Sequence, residues 1–291
     1  MLDIYGTLEI SKVLEEISSF SSTELGKKKV LTLRMLEKED AEAIIRDIFL
    51  KRIINMKGLS TVTAMLDRFV MPTPKAVLSA GELLAKGTKD REGIGDLIIV
   101  DIGGATTDIH SYAGHTTYQG AKIVGTQEPY SKRTVEGDLG LNESKNSLRH
   151  EAGLDGIDVS DEELAFHAAR IASRRHAGVL EHGIGIGEKL IQKGKDLTHV
   201  KTVIGTGGPI IYNSDPLRVL KGVMLENGEH DILLPESAAV MVDSNYLLFA
   251  GGLLREVDEN IAFDVMMDSL KTPVIPDIKL QSSIKWSNHK E

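Results

Sequence analysis

One stretch in the first half of the chain combines carboxylates, hydroxyls and glycines. Residues 101–108, DIGGATTD, follow the apolar run 97–100, which is typical of a buried strand. Gly103 and Gly104 leave the turn after this strand without side chains, so several backbone N–H groups can point at one anion. The stretch is therefore a candidate phosphate site. The alternative is an ordinary hairpin with glycine at its tip.

The polar side chains of this stretch suit a phosphate that is bound together with a cation. Thr106 and Thr107 supply hydroxyl donors, and Asp101 can hold the water shell of a cation. The acidic residues at both ends of the stretch and the paired threonines between them favour the phosphate site over the ordinary hairpin.

A second glycine turn follows another short apolar strand. Residues 200–204 lead into GTGGPI, residues 205–210. Two glycine turns at the carboxyl ends of strands in one sheet form the geometry of a nucleotide site. We therefore expect Gly103 and Gly205 to lie at the same end of one mixed sheet.

Better-known phosphate motifs do not fit the chain. Residues 205–210 lack the sixth-position glycine of a dinucleotide fingerprint, and Pro209 removes an N–H group from the helix start. Residues 183–189 look like a P-loop only superficially, because no Ser or Thr follows Lys189. A Rossmann dehydrogenase and a P-loop enzyme are both disfavoured.

The histidines predict no metal or corrinoid site by their spacing. Residues 108–110, DIH, begin like a corrinoid-ligating loop, but Ala113 stands where that loop needs glycine. His110 is therefore interpreted as a partly exposed strand residue. His176 and His182 do not share a helix face, and no carboxylate completes a zinc-like set.

Helices and strands must position these residues, and their pattern predicts an α/β protein. The hydrophobic spacing predicts helices over residues 39–57, 72–86, 161–192 and 246–255. Strands are predicted over residues 97–100, 116–124, 200–204 and 237–242, and a loop over residues 128–135. The small residues 250–252, AGG, predict that another helix packs closely against the last helix.

Composition excludes several function classes. The chain has 291 residues, of which 41% are hydrophobic, and 34 basic against 43 acidic residues give a net charge of −9. This balance disfavours nucleic acid as a partner. The sequence has no apolar segment of membrane-spanning length and no signal peptide, so a cytoplasmic protein is expected. The absence of cysteine excludes disulfides, thiolate nucleophiles and Cys-ligated metals.

The order of the motifs resembles that of the ATPases that include actin, the sugar kinases and the heat-shock chaperones. The matching segments are residues 72–77, 101–108, 137–140, 205–208 and 250–252. In that superfamily they include a first connector, a second phosphate motif, an adenosine motif and a second connector. The resemblance implies an α/β fold with an actin-like (ribonuclease H-like) ATPase lobe, in which helices flank a mixed sheet, and the remainder of a second lobe.

Within this superfamily the motif sequences closely resemble those of the GlmL/MutL family. The segments are PTPKAVL at 72–78, VDIGGATTD at 100–108 and RTVEGDLG at 133–140, and the resemblance extends from about residue 39 to about residue 257. Members of this family are accessory proteins of adenosylcobalamin-dependent glutamate mutase. They are unrelated to the mismatch-repair proteins that share the second name.

The resemblance implies two lobes. Residues 1–88 match the C-terminal part of an N-terminal lobe with a connector helix, and residues 89–291 match a C-terminal nucleotide-binding lobe with a helical insertion around 143–197. The first phosphate motif of the superfamily, Asp-x-Gly-(Ser/Thr), has no match in residues 1–70. The chain is interpreted either as a piece of a longer protein or as a degenerate member, with motifs for about half of an ATP site.

The resemblance also implies ATP and Mg²⁺ as cofactors. Asp101 is the implied catalytic and metal-positioning residue, acting through metal-bound water. The residues implied to hold ATP are Gly103, Gly104, Ala105, Thr106, Thr107, Gly137, Asp138, Gly205, Gly207 and Gly208.

The implied function is reactivation of an adenosylcobalamin-dependent mutase. ATP hydrolysis would drive lobe motion and the exchange of a damaged cofactor, and the mutase subunits would be the partners. Two alternatives stay open: a small-metabolite kinase on the same fold, and a nucleotide-gated interaction module without hydrolysis.

Overall fold

The computed structural model describes residues 73–183 and 190–273. The helices are α1 (Thr73–Lys86), α2 (Lys145–Glu151), α3 (Asp161–His176), α4 (Gly208–Ile211), α5 (Pro216–Lys221), α6 (Leu248–Leu254) and α7 (Glu259–Ser269). The strands are β1 (Leu97–Ile102), β2 (Thr107–Tyr112), β3 (Ala121–Ile123), β4 (Ser131–Glu136), β5 (Val179–His182), β6 (Leu190–Lys193), β7 (Thr202–Thr206), β8 (Ala239–Asp243) and β9 (Leu270–Lys271). The helix predicted over residues 39–57 lies outside the described residues.

Six strands form a mixed sheet in the order β4-β2-β1-β7-β8-β9. β1 is parallel to β7, and β7 is parallel to β8, whereas β2, β4 and β9 run antiparallel to their neighbours. β1 lies near the middle of this sheet, and all of its apolar residues are buried. A second sheet has the order β3-β6-β5.

Helices cover both faces of the six-stranded sheet. Apolar residues of α3 and α5 pack with Ile98, Val100 and Ile102 on one face. Residues of α1, α6 and α7 pack with Leu97 and Ile99 on the other face. Since successive strand residues point to opposite faces of a sheet, the side chains of β1 alternate between these two helix-covered faces. The predicted α/β class, with helices that flank a mixed sheet, is confirmed.

The helix predicted over residues 161–192 is wrong in its second half. α3 begins after Ser160, whose side chain accepts a hydrogen bond from the N–H group of Glu163, and it ends at His176. The chain then turns into β5, because Gly178 packs against the chain after β6. A methyl group on Gly178 would lie 2.8 Å from the backbone of Gly194.

Two further predictions in the same half of the chain are corrected. The loop predicted over residues 128–135 contains β4, an edge strand of alternating exposed and half-buried residues. Its sequence, SKRTVE, is polar enough to resemble a loop. The strand predicted over residues 116–124 is limited to the three residues of β3. Short and polar strands depend on their pairing partners, which a local pattern does not reveal.

The predicted close approach of two helices is confirmed at α6. A methyl group on Gly252 would lie 1.9 Å from the carbonyl oxygen of Ala76 in α1, and one on Gly251 would overlap Met266 in α7. The helix backbones of α1 and α6 are therefore in direct contact, which only glycine permits at this position.

Replacing Gly252 with alanine is expected to lower the free energy of unfolding by about 3 kcal/mol or more. The methyl group overlaps the backbone of Ala76, so the two helices must separate, and this cost exceeds the gain in helix propensity of about 1 kcal/mol. Urea titration followed by circular dichroism measures the change. Gly114→Ala is the control, because its methyl group would meet no atom of the described residues within 4 Å. Equal stability of the two variants would contradict the packing described here.

Candidate functional site

Both glycine turns lie at the same end of the six-stranded sheet. The strand register pairs Asp101 with Asp108 across the β1–β2 hairpin and Asp101 with Thr206 across the parallel β1–β7 pair. The turns that follow β1 and β7 therefore start side by side. The prediction that Gly103 and Gly205 share one end of a mixed sheet is confirmed.

A loop that follows β4 grips the turn between β1 and β2. We call residues 137–144 the clamp loop. The N–H groups of residues 141–143 donate to the carbonyl oxygens of Gly103 and Gly104 over 2.7–3.1 Å. Three hydrogen bonds thus fix the peptide planes at the tip of the hairpin.

The clamp loop also holds the next carbonyl of the turn. Ser144 Oγ lies 2.9 Å from the carbonyl oxygen of Ala105 and 2.6 Å from that of Gly137. Gly140 lets the two backbones touch, since a methyl group there would lie 2.3 Å from the carbonyl carbon of Ala105. The carbonyl groups of residues 103–105 are all held on the clamp-loop side.

This arrangement leaves three consecutive N–H groups for a ligand. In a trans peptide the N–H group points opposite to the carbonyl of the same plane, so the N–H groups of Gly104, Ala105 and Thr106 point away from the clamp loop. None of the three donates to an acceptor within residues 73–183 and 190–273. We call these three groups the amide cradle. Gly104 and Ala105 are exposed, so an anion can reach the cradle from solvent.

The two threonines of the turn have different surroundings. Thr107 is fully buried, and its hydroxyl donates to the carbonyl oxygen of Leu139 at 2.7 Å, so it ties the hairpin to the clamp loop. Thr106 is half-buried, and its own N–H group is part of the amide cradle. Of the two predicted hydroxyl donors, only Thr106 retains a hydroxyl hydrogen for a ligand in this arrangement.

Three aspartates meet on one face of the sheet near the turns. Asp108 Oδ2 accepts a hydrogen bond from Arg133 at 2.9 Å, whereas Asp108 Oδ1 is buried without a partner among the described residues. Asp243 is fully buried and is satisfied by four donors. These donors are the backbone N–H groups of Leu247 and Leu248 and the hydroxyls of Thr206 and Ser269.

The third carboxylate, Asp101, is half-buried, whereas Asp108 and Asp243 are buried, so it is the one of the three that a ligand can approach. Burial, with the negative charges of Asp108 and Asp243, raises the pKa of Asp101 to about 6, and Arg133 opposes the shift. A carboxylate that is costly to ionise in the empty protein gains most from a nearby cation. Within the described ranges no group of three or more acidic or histidine residues is arranged to hold a metal ion. A single carboxylate such as Asp101 can hold a cation through its water shell.

Asp101→Asn is expected to stabilise the metal-free protein by about 1–3 kcal/mol at pH 7 to 8. The pKa of Asp101 is higher in the folded state than its ordinary value of 3.8, so the folded state binds more protons between about pH 4 and 6. Wild-type stability therefore falls as the pH rises through this window, and the asparagine variant escapes that loss. Urea titrations in EDTA at pH 4.5 and pH 7.5 test this, and an equal gain at both values would contradict it.

The second turn contributes backbone rather than side chains. Gly207 has φ +90°, and a methyl group on it would lie 2.2 Å from the carbonyl oxygen of Ile102 and 2.8 Å from Asp101 Oδ1. A methyl group on Gly205 would overlap Ile210. Gly208 is half-buried, and a methyl group on it would lie 3.9 Å from the ring of Tyr212, so a ligand can approach its backbone.

The remaining predicted ligands, Gly137 and Asp138, belong to the clamp loop. The carboxylate of Asp138 is bound by Arg175 at 2.8 and 2.9 Å, and the carbonyl of Gly137 contacts Ser144. The structure thus places both residues where they support the turn from behind. Sequence reasoning missed Ser144 and Arg175, because nothing in their local sequence marks them. Arg133 begins the RTVEGDLG segment, but its ion pair with Asp108 was not predicted.

The prediction that His110 is a partly exposed strand residue is wrong. It is fully buried beneath the sheet face that carries Asp108, and both ring nitrogens lack partners among the described residues. Burial, together with the positive charge of Arg133, lowers the pKa of His110 to about 3. A neutral buried imidazole cannot reach an external ligand, which agrees with the rejection of the corrinoid motif.

The described helices include none with the length and apolarity needed to cross a membrane.

Comparison with known proteins gives one family. The family model described as MutL protein matches residues 30–160 and 157–270. Protein MutL of Clostridium tetanomorphum is 38% identical to this chain over an alignment of 282 positions, and the matched part covers 85% of this chain. The chain belongs to the MutL family. It spans 60% of the length of that MutL relative. Both glycine turns and the clamp loop lie inside the matched ranges.

Proposed function

We propose that the described lobe binds the phosphates of MgATP through the amide cradle. The observation that carries this proposal is the set of three consecutive N–H groups without acceptors among the described residues, which the clamp loop turns toward solvent beside Asp101. Convergent backbone N–H groups bind phosphate oxygens without a charged side chain. An ordinary hairpin tip needs no such clamp, so the clamp favours a ligand site.

Each part of MgATP has a matching part of the site. The Mg²⁺ ion would supply charge neutralisation for the phosphates, and Asp101 would hold its water shell. The amide cradle and the Thr106 hydroxyl would bind phosphate oxygens, and the Gly207–Gly208 turn would pack against the adenosine. These residues orient and bind, which is most of what phosphoryl transfer requires from a protein.

For the whole protein we propose an accessory role toward an adenosylcobalamin-dependent mutase of the glutamate mutase type. Membership of the MutL family and the resemblance of the ATP motifs support this role. ATP hydrolysis would be coupled to lobe motion, which would release a damaged cofactor from the mutase. This reaction belongs in the cytoplasm, where ATP is available.

Two measurements test the proposal in sequence. Isothermal titration with MgATP, MgADP and Mg²⁺ alone should show nucleotide binding by the chain. Mutase inactivated by turnover should then regain activity when this protein, MgATP and fresh adenosylcobalamin are added together, but not when the nucleotide is omitted. Phosphate transfer to a member of a panel of sugars and short hydroxy acids would favour a kinase instead. Nucleotide binding without any phosphate release would favour a nucleotide-gated interaction module.

A further inference from the structure

One guanidinium group collects three carboxylates behind the amide cradle. Arg175 lies in the last turn of α3. Its Nη1 atom is 2.8 Å from Glu136 Oε2 and 2.8 Å from Asp138 Oδ2, and its Nη2 atom is 2.6 Å from Glu151 Oε2. The side chain of Arg175 is only 33% exposed, so these contacts are shielded from solvent more than an ordinary surface ion pair.

The three acidic residues come from three different parts of the chain. Glu136 is the last residue of β4, Asp138 is in the clamp loop, and Glu151 is the last residue of α2. They stand before, within and after the loop that grips the hairpin. Arg175 therefore binds the residue just before the clamp loop, one residue inside it and the far end of the helix that follows it.

The clamp loop passes this constraint to the amide cradle. Asp138 is followed at once by Leu139, whose carbonyl oxygen accepts the Thr107 hydrogen bond, and by Gly140, which touches Ala105. The contacts form a continuous path from the guanidinium of Arg175 to the peptide planes of the cradle.

Arg175 also changes the charge that a polyanion meets. Without it, these three carboxylates have no ion-pair partner among the described residues. The neighbouring cation Arg133 is already engaged by Asp108. Charges within a Debye length of about 8 Å interact across the protein edge, so unpaired carboxylates disfavour a bound triphosphate.

We infer that Arg175 is a positioning residue for phosphate binding, which it supports by fixing the clamp loop and by neutralising Glu136, Asp138 and Glu151. This inference rests on the proposed function. According to it, a residue at the end of α3, outside every recognised motif, controls the affinity for the triphosphate.

The experiment compares Arg175→Gln with Arg175→Lys and Arg170→Gln in the full chain, with MgATP and Mg-tripolyphosphate as probes. Arg175→Gln is expected to lower the affinity for both probes about tenfold or more. Arg175→Lys keeps the charge but loses the planar fork, so its loss is smaller. Arg170→Gln is the matched control on the same helix, because it removes a two-contact ion pair with Glu226 and leaves the clamp loop intact.

A charge rescue separates positioning by Arg175 from a general loss of stability. Adding Asp138→Asn to Arg175→Gln is expected to restore part of the lost affinity, and high salt should reduce the difference from wild type, since both treatments weaken the same repulsion. Thermal unfolding of every variant shows whether the fold is retained.

Three outcomes would overturn the inference, and one of them also overturns the proposed function. Wild-type protein that binds neither probe would overturn both the inference and the proposed function. Wild-type protein that binds both, with an Arg175→Gln variant of equal affinity, removes only the inference. An Arg170→Gln variant that loses as much affinity as Arg175→Gln would assign the effect to α3 as a whole and would also overturn it.

Discussion

Asp101→Asn is expected to reduce MgATP hydrolysis about a hundredfold or more, while nucleotide affinity changes only a few-fold. Asparagine keeps the volume and one acceptor oxygen but loses the charge that orders the water shell of the cation. That shell matters most as charge moves in the transition state. Phosphate release at saturating MgATP measures the loss, in a protein that also carries the first phosphate motif and with the mutase subunits present, and titration calorimetry measures the affinity.

The matched control for this variant is Asp96→Asn. Asp96 precedes the same strand at its other end, where its carboxylate contacts His199 and Tyr130. Hydrolysis by the control should equal that of wild type. Hydrolysis by a folded Asp101→Asn variant at the parent rate would show that Asp101 is only the polar end of a buried strand.

Asp101→Asn therefore connects stability with function at one carboxylate. The raised pKa of Asp101 means that the ionised form is held at a cost in the metal-free protein. The same substitution should increase stability and remove catalysis, which is typical of residues kept for chemistry rather than for folding. A variant that lost both properties would indicate a structural role.

Gly104→Val is expected to remove nucleotide binding while the protein stays folded. Gly104 does not have a positive φ, and a Cβ atom there would contact only the Asn142 Cβ, at 3.3 Å. The empty hairpin can accommodate this contact with a small shift. The valine side chain, however, presses on the clamp loop at Asn142 and shifts the peptide planes that orient the amide cradle, so affinity should fall by about two orders of magnitude or more.

The test of Gly104→Val needs a control for the loss of glycine itself. Gly114→Val introduces the same side chain at a position where, in the part of the chain that the structure describes, a Cβ would meet no atom within 4 Å. Calorimetric titration with MgATP and with Mg-tripolyphosphate should show binding by the control and none by Gly104→Val, at equal thermal stability. Retained tripolyphosphate binding in Gly104→Val would place the phosphate site elsewhere.

The sequence by itself determined the elements whose signals are local. The apolar run before Asp101 predicted β1, because a strand buried on both faces is apolar throughout. The helix that begins at residue 73 and stops before Gly87, with φ +74°, follows from Pro at its start and a glycine C-cap. The two glycine turns and the motif order were also visible, and they led to the family.

Only the tertiary structure decided which groups of these motifs are free to act. The Thr106 and Thr107 side chains are alike in sequence, but the contact with Leu139 occupies the hydroxyl hydrogen of Thr107. The burial of His110, the end of α3 at His176 and the polar edge strand β4 likewise depend on neighbours far away in the chain. The amide cradle exists because Ser144 and residues 141–143 hold the carbonyls of a turn that lies about forty residues earlier. Hydrogen bonds and ion pairs across such separations form only when the fold brings the partners together, so no local pattern of residues can encode them.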